Sequence, residues 1–350
     1  MKNDLAAIFT GRERKMKMNL HVLMVSNDGY TAHMGTSIFS LLENNKSSFE
    51  KIYVHIIDIG ISEMNRKKFI KQSREYENAD ISFADLSESF KKVHPIVDHG
   101  WDKSIYGRFF VDEVVDESVD KVLYMDGDTV VTNSLKGLMS IDITEYILAG
   151  VLDIMHKERK AFLGMSDSDQ YVNSGVLLIN MKKWREMNIQ NKLIEFMNTY
   201  PKKLLTPDQD AINAVCGNEI LCISPKYNFG WMLTERRLKW DYKKGKFPYS
   251  YEELLDVVKD SYAEVVIFHF FGKTKPWRRG ECTSEFEQIY LRYNERSPWK
   301  IKIGFKSRKK MLGYYIIEKP IYTAFKLMRR FLGTERYDRI CEFLENLRKS

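Results

Sequence analysis

The chain has 350 residues, 44% of them hydrophobic and 29% charged, with a formal net charge of +7. This is the composition of a globular protein of more than one ordinary domain's length, and it excludes a disordered chain. No run reaches the roughly 18 consecutive apolar residues of a membrane-spanning helix, and the four cysteines form no C-x-x-C pair, which excludes a zinc framework of that kind.

The opening stretch, residues 1–18, lacks the apolar core of a signal peptide, so the protein is expected to stay in the cytosol. Residues 19–25 (NLHVLMV) predict a buried strand that ends in the polar turn Ser26-Asn27-Asp28-Gly29. A helix is expected from Ala32 to Glu43, a strand over 51–58, an amphipathic helix from Glu63 to Glu77 and a short strand over 80–84. A helix near 105–115 then leads to the strand Lys121–Met125. Further strands are expected near 147–152, 176–180, 220–223 and 265–270, with helices near 191–200 and 208–215. The aromatic and basic segment 231–251 has no clean period and reads as a long loop. Strands alternating with helices of this length predict an α/β fold with a mainly parallel sheet flanked by helices. In such sheets ligands sit beyond the carboxyl ends of the strands, which points to the turns after residues 25 and 125.

The second of those turns is Tyr124-Met-Asp-Gly-Asp-Thr-Val-Val131. A buried strand there delivers two carboxylates, Asp126 and Asp128, that repel each other unless a cation lies between them. Carboxylate oxygens suit Mg²⁺ or Mn²⁺, and Gly127 leaves room for close approach. A solvated Asp-Gly turn is the ordinary alternative. Among enzymes, haloacid-dehalogenase-like phosphatases use this spacing with the first aspartate, here Asp126, as nucleophile. Nucleotide-sugar glycosyltransferases use it to hold a metal.

Three further strings bear on that choice. His269-Phe-Phe-Gly-Lys-Thr-Lys-Pro-Trp277 also ends an apolar strand. Its imidazole can join a carboxylate site and shift it towards Mn²⁺, Gly272 lets backbone amides approach a phosphate, and Lys275 supplies a mobile cation. Tyr171-Val-Asn-Ser-Gly-Val-Leu-Leu-Ile-Asn180 places Asn173 and Ser174 just before a buried strand, either to bond sugar hydroxyls or to cap a turn. Thr206-Pro-Asp-Gln-Asp210 opens a helix with carboxylates where the helix dipole favours them.

Taken together, these strings resemble those of the family 8 glycosyltransferases, over about residues 19 to 280 and in the family's order. The resemblance implies a single nucleotide-sugar-binding domain of the GT-A-like kind over 19–285, with 1–18 as an extension and 286–350 as a basic helical region. It implies retaining, Mn²⁺-dependent transfer (Mg²⁺ as the second choice) of galactose or glucose from a UDP-hexose to a glycan or lipid-linked acceptor in surface-polysaccharide synthesis. On this resemblance Asp126, Asp128 and His269 bind the metal, with Gly127 between the two carboxylates, and Gly272 and Lys275 contact the phosphates. Val25, Asn27, Asp28 and Tyr30 form the uridine site, and Arg108 holds the donor sugar and diphosphate. Asp153, Asn173, Ser174, Asp208 and Gln209 line the donor sugar, and Asp208, Gln209 and Arg108 are the catalytic candidates.

The charge is concentrated in residues 300–350, which hold 14 Lys or Arg against 5 Asp or Glu. Interleaved with Phe, Tyr, Ile and Leu, this pattern predicts an interfacial helix on an anionic membrane, at the inner face of the cytoplasmic membrane. No nucleic-acid-binding motif accompanies the charge, so nucleic acid is not an expected partner.

Overall fold

The computed structural model describes residues 18–94, 102–153, 157–166, 169–201, 204–230, 264–272, 275–278, 284–302, 304 and 327. The loop expected over 231–251, and all of the basic region 300–350 except a few residues, lie outside these. Among the described residues no helix is long and apolar enough to cross a membrane.

The strands are β1 (Leu20–Ser26), β2 (Ile52–Asp58), β3 (Ala79–Ala84), β4 (Lys121–Met125), β5 (Thr129–Val131), β6 (Leu148–Leu152), β7 (Val172–Asn180), β8 (Ile220–Ile223) and β9 (Ile267–His269). The helices are α1 (Thr31–Asn45), α2 (Glu63–Ser73), α3 (Ser87–Phe90), α4 (Lys136–Met139), α5 (Lys157–Phe162), α6 (Met181–Glu186), α7 (Ile189–Thr199), α8 (Pro207–Cys216) and α9 (Ser284–Asn294). Seven strands form one sheet in the order β3-β2-β1-β4-β7-β6-β8, and β5 pairs with β9 in a two-stranded ribbon. Within the large sheet only β7 runs against its neighbours.

β1 is central, buried at six of its seven residues, because a parallel strand covered on both faces has no polar side to show. Its odd positions, Leu23 and Val25, join Phe109, Phe110, Tyr124, Leu177 and Trp184 in the main core. α1 and α2 are tied together by Trp299, whose indole Nε1 donates to Asn65 Oδ1 at 2.9 Å. A Cβ on Gly35 would lie 2.1 Å from the Trp299 ring, so glycine is needed for that contact.

Two expectations need correction. The helix expected near 105–115 is a 3-10 helix, Lys103–Glu113, with a kink at Phe110. The strand expected to begin at 176 begins at Val172, so Asn173 and Ser174 lie within β7 rather than ahead of it. The extra residues are recruited by pairing: Leu152 sits opposite Val172, and the Asp153 N–H donates to the Tyr171 carbonyl at 2.8 Å.

The described residues fall into two compact units. One runs to Phe271 and includes Tyr293–Lys300; the other holds the described residues of Gly272–Arg292 and the few described from Ile301 on. In the second unit the Trp277 and Tyr290 rings pack 5.4 Å apart.

At the amino end of β1 and β2, His21, Tyr53 and His55 form a ladder of rings, with His21 stacked 4.7 Å from Tyr53 and its Nδ1 3.2 Å from His55 Nε2. Burial, then the charge of His21, pushes the His55 pKa from 6.5 down to about 4, against a small pull from Asp80. The unfolded chain therefore takes up a proton that the native chain refuses between those values, and stability falls as pH drops from about 6.5 to about 4. Replacing His55→Phe should remove on the order of 1 kcal/mol of this acid sensitivity, after discounting for partial exposure. Urea unfolding of both proteins at neutral pH and near pH 4.5 tests this; an unchanged stability gap between the two pH values contradicts it.

Candidate active site

The chain leaves the large sheet at Met125 and enters the small ribbon at Thr129, so Asp126-Gly127-Asp128 is the crossing between two sheets. Both sides of the crossing are pinned. The Asp126 N–H donates to the Gly175 carbonyl on β7 at 2.8 Å, and the Phe270 N–H donates to the Asp128 carbonyl at 2.9 Å. The antiparallel register of β5 with β9 sets Thr129 opposite His269. His269 Nε2 consequently lies 3.2 Å from Asp128 Oδ1 and 3.6 Å from Asp126 Oδ2.

One donor atom from each of Asp126, Asp128 and His269 lies within 4.8 Å of the others. Two carboxylate oxygens and an imidazole nitrogen suit Mn²⁺, or a harder ion such as Mg²⁺ with more water. Burial raises the Asp126 carboxyl pKa above its ordinary value, against the pull of Arg108 and His269. A divalent cation relieves that penalty, so the donor set fits one.

Arg108 braces the other side of the site and is 4% exposed. Its Nη2 donates to Asp126 Oδ1 at 2.9 Å, and its Nη1 lies 2.9 Å from Asp208 Oδ2 and donates to the Ser174 carbonyl at 2.6 Å. Its Nε donates to the Ile105 carbonyl within the 3-10 helix at 3.1 Å, and its guanidinium lies 4.5 Å over the Tyr124 ring. Burial opposes the charge, yet Asp126 and Asp208 outweigh it and raise the Arg108 pKa further. Tyr124 completes this corner by donating its hydroxyl to Asp126 Oδ1 at 2.7 Å.

α8 begins with Pro207 at its first position, where a missing N–H costs nothing. Asp210 accepts from the Leu205 and Thr206 N–H groups and from the Tyr171 hydroxyl, so it anchors the helix start. Asp208 and Gln209 are thereby turned towards β7. Asp208 Oδ2 accepts from Ser174 Oγ at 2.8 Å. Gln209 Oε1 accepts from Asn173 Nδ2 and the Ser174 N–H, and its Nε2 donates to Asp153 Oδ2 at 2.8 Å. Asn173 Nδ2 also donates to Asp153 Oδ2, at 3.1 Å.

The turn after β1 is close by. Val25 is buried and packs on Gly107, where a Cβ would come within 2.6 Å of its methyl group. Tyr30 lies against Gly127, 3.2 Å from where a Cβ would stand, so a side chain between the two aspartates would meet this ring. Asn27 caps the short 3-10 helix Asp28–Tyr30 by accepting from the Tyr30 N–H. Asp28 accepts from Asn65 Nδ2 and the Ser62 N–H, bonds that hold its carboxyl below the usual range. Gly272 and Lys275 lie in the second compact unit: Gly272 has φ +78°, a conformation that favours glycine, and the Lys275 ammonium lies 5.5 Å over the Trp277 ring.

Two participants were not singled out from sequence. Gly175 is one: a Cβ there would lie 2.1 Å from His269 Cε1 and 2.8 Å from Asp126 Oδ2, so the metal-ligand candidates close over a glycine. Asn228 is the other, with its Oδ1 2.8 Å from His269 Nδ1 and its Nδ2 donating to Asn173 Oδ1 at 2.9 Å. Its one sequence signal is an amide set between two aromatic residues, Tyr227 and Phe229, both buried.

The sequence pattern of Glycosyl transferase family 8 matches residues 21–281. General stress protein A of Bacillus subtilis is 26% identical over 283 residues, covering 80% of this chain and 94% of that protein. Lipopolysaccharide 1,2-glucosyltransferase of Escherichia coli K12 is 24% identical over 286 residues, covering 80% and 79%. Among solved structures, the galactosyltransferase LgtC in complex with donor and acceptor sugar analogs superposes with a TM-score of 0.64 at 26% identity, over 78% of this chain and 95% of that one. The chain belongs to glycosyl transferase family 8, with the GT-A-like α/β fold of its structural neighbours. This membership favours the transferase class over the phosphatase alternative.

Removing the brace should leave two carboxylates without their shared cation. Arg108→Met is expected to lower stability by about 3 kcal/mol, the usual scale for breaking a buried pair. Urea unfolding reads this, and a loss under about 0.5 kcal/mol, the surface-substitution range, contradicts the brace.

Proposed function

We propose that this chain is a retaining, Mn²⁺-dependent glycosyltransferase that moves galactose or glucose from a UDP-hexose to a glycan or lipid-linked acceptor in surface-polysaccharide synthesis. The observation that carries the reading is the Asp126, Asp128, His269 donor set, held where the crossing from β4 to β5 meets the end of β9 in a family 8 chain. The related lipopolysaccharide glucosyltransferase and the galactosyltransferase solved with donor and acceptor sugar analogs support the choice of substrates.

Asp126, Asp128 and His269 would hold the cation, which supplies a Lewis acid for the departing diphosphate. The turn from Asn27 to Tyr30 is the candidate for the nucleoside, since Tyr30 already packs on Gly127. Asp28 is committed to Asn65 and Ser62 and would shape this turn. Asp153, Asn173 and Gln209 present a preset array of polar groups to the sugar hydroxyls.

The same contacts bear on how configuration is retained. Asp208 Oδ2 already faces the Arg108 guanidinium and accepts from Ser174 Oγ, which lowers its nucleophilicity. Gln209 is an amide whose Oε1 is filled by two donors, and amides are weak nucleophiles. Both points favour attack by the acceptor hydroxyl on the face the leaving group vacates. The bond from acceptor oxygen to the anomeric carbon forms as the bond to the phosphate oxygen breaks, and that phosphate oxygen takes the hydroxyl proton. Arg108 would then keep Asp126 and Asp208 fixed while charge develops on the diphosphate.

UDP release from UDP-galactose and UDP-glucose, measured with Mn²⁺ for the wild type and Asp126→Ala, tests the proposal. Slow hydrolysis of one donor is expected, with a fall of at least about 100-fold in the variant, since even partners outside the ligand shell carry 10–100-fold. Release that continues undiminished in Asp126→Ala contradicts it.

A further inference from the structure

We infer that Asn228 is a positioning residue that sets the tautomer of His269, so that its Nε2 lone pair faces Asp126 and Asp128. The inference rests on the metal reading above and follows from the directions of three hydrogen bonds. A backbone N–H can only donate. The Gly175 N–H lies 3.0 Å from Asn173 Oδ1, which fixes that end of the Asn173 amide as oxygen. The same oxygen lies 2.9 Å from the Asn228 amide, so Asn228 must present its Nδ2 there. The other end of Asn228 is then its oxygen, 2.8 Å from His269 Nδ1. An oxygen acceptor needs a hydrogen from that nitrogen, so Nδ1 carries the proton and a neutral ring has its lone pair on Nε2. That nitrogen is the one 3.2 Å from Asp128 and 3.6 Å from Asp126.

The assignment is independent of any choice of amide orientation, because it starts from a main-chain group. It is checked from a second side. The Ser174 N–H, also donor only, fixes Gln209 Oε1 as oxygen, which in turn receives Asn173 Nδ2. Both main-chain donors therefore demand the same orientation of Asn173. Asn228 and His269 are each 2% exposed, so water does not replace these bonds cheaply. One chain of amides thus joins the imidazole to Asn173, Gln209 and Asp153, the groups proposed to meet the donor sugar.

Metal-ligating histidines depend on such a partner for ring orientation and tautomer, and losing it weakens metal affinity by about 10–100-fold. The test uses the full-length chain. Mn²⁺ binding is followed by the electron paramagnetic resonance of the free ion, and the His269 tautomer by long-range proton–nitrogen correlation in ¹⁵N-histidine-labelled, metal-free protein at mildly alkaline pH. His269→Gln assigns the signals. The wild type is expected to bind Mn²⁺ and to show the Nδ1–H form. Asn228→Leu is expected to lose about 10–100-fold in Mn²⁺ affinity and to shift His269 towards Nε2–H. Asn228→Asp keeps an oxygen facing Nδ1, though its second oxygen meets Asn173 Oδ1, so it should retain the wild-type tautomer even where affinity falls, which separates positioning of the ring from a general fold defect. A wild-type ring already in the Nε2–H form, or Asn228→Leu with unchanged tautomer and affinity, overturns the inference. A wild type that binds no Mn²⁺ while showing Nδ1–H overturns the metal reading instead.

Discussion

Asp126 and Asp128 are forced together because the chain changes sheets between them. β4 ends one residue before the first and β5 begins one residue after the second, and main-chain hydrogen bonds pin both sides. Two carboxylates at this spacing, set largely out of water, repel unless positive charge is supplied. Much of the surrounding structure answers that need. Arg108 supplies one fixed charge from the 3-10 helix, shared with Asp208 on α8. His269 arrives on β9, distant in sequence from both aspartates, and offers a nitrogen to the remaining carboxylate oxygens.

Small residues are as necessary to this arrangement as charged ones. Gly175 leaves the volume that the His269 ring and the Asp126 carboxylate fill, and Gly107 lets Val25 approach the helix that carries Arg108. The polar groups on β7 and α8 are then locked by donors that cannot turn. Preset dipoles of this kind stabilise developing charge without reorganising during reaction. Asp208 and Gln209 are already committed to partners, and on the proposed mechanism the attack therefore falls to the acceptor hydroxyl.

The central strands were legible because a buried parallel strand is an uninterrupted apolar run: β1 and β4 begin within a residue of where the pattern put them, and β4 coincides with it. The carboxylate pair was legible for the same reason, as charges at the end of such a run. The beginning of β7 was hidden because Asn173, Ser174 and Gly175 are turn formers by local preference, and only pairing with β6 makes them strand. The 3-10 character of Lys103–Glu113 was hidden too, since its apolar spacing also fits an α-helix. Asn228 left almost no trace, because a positioning amide is defined by what it touches 41 residues away in sequence. Asn27 and Asp28 are legible as residues of the turn after β1, and their side chains serve to build that turn.

The most direct measurement is a crystal of the full chain grown with Mn²⁺ and UDP, with data collected at the manganese absorption edge. The account predicts one strong anomalous peak bounded by Asp126, Asp128 and His269 Nε2, at the roughly 2.0–2.2 Å distances of first-row ions to nitrogen and oxygen ligands. An ordered UDP whose diphosphate sits elsewhere, with no anomalous density among these three side chains, would contradict it.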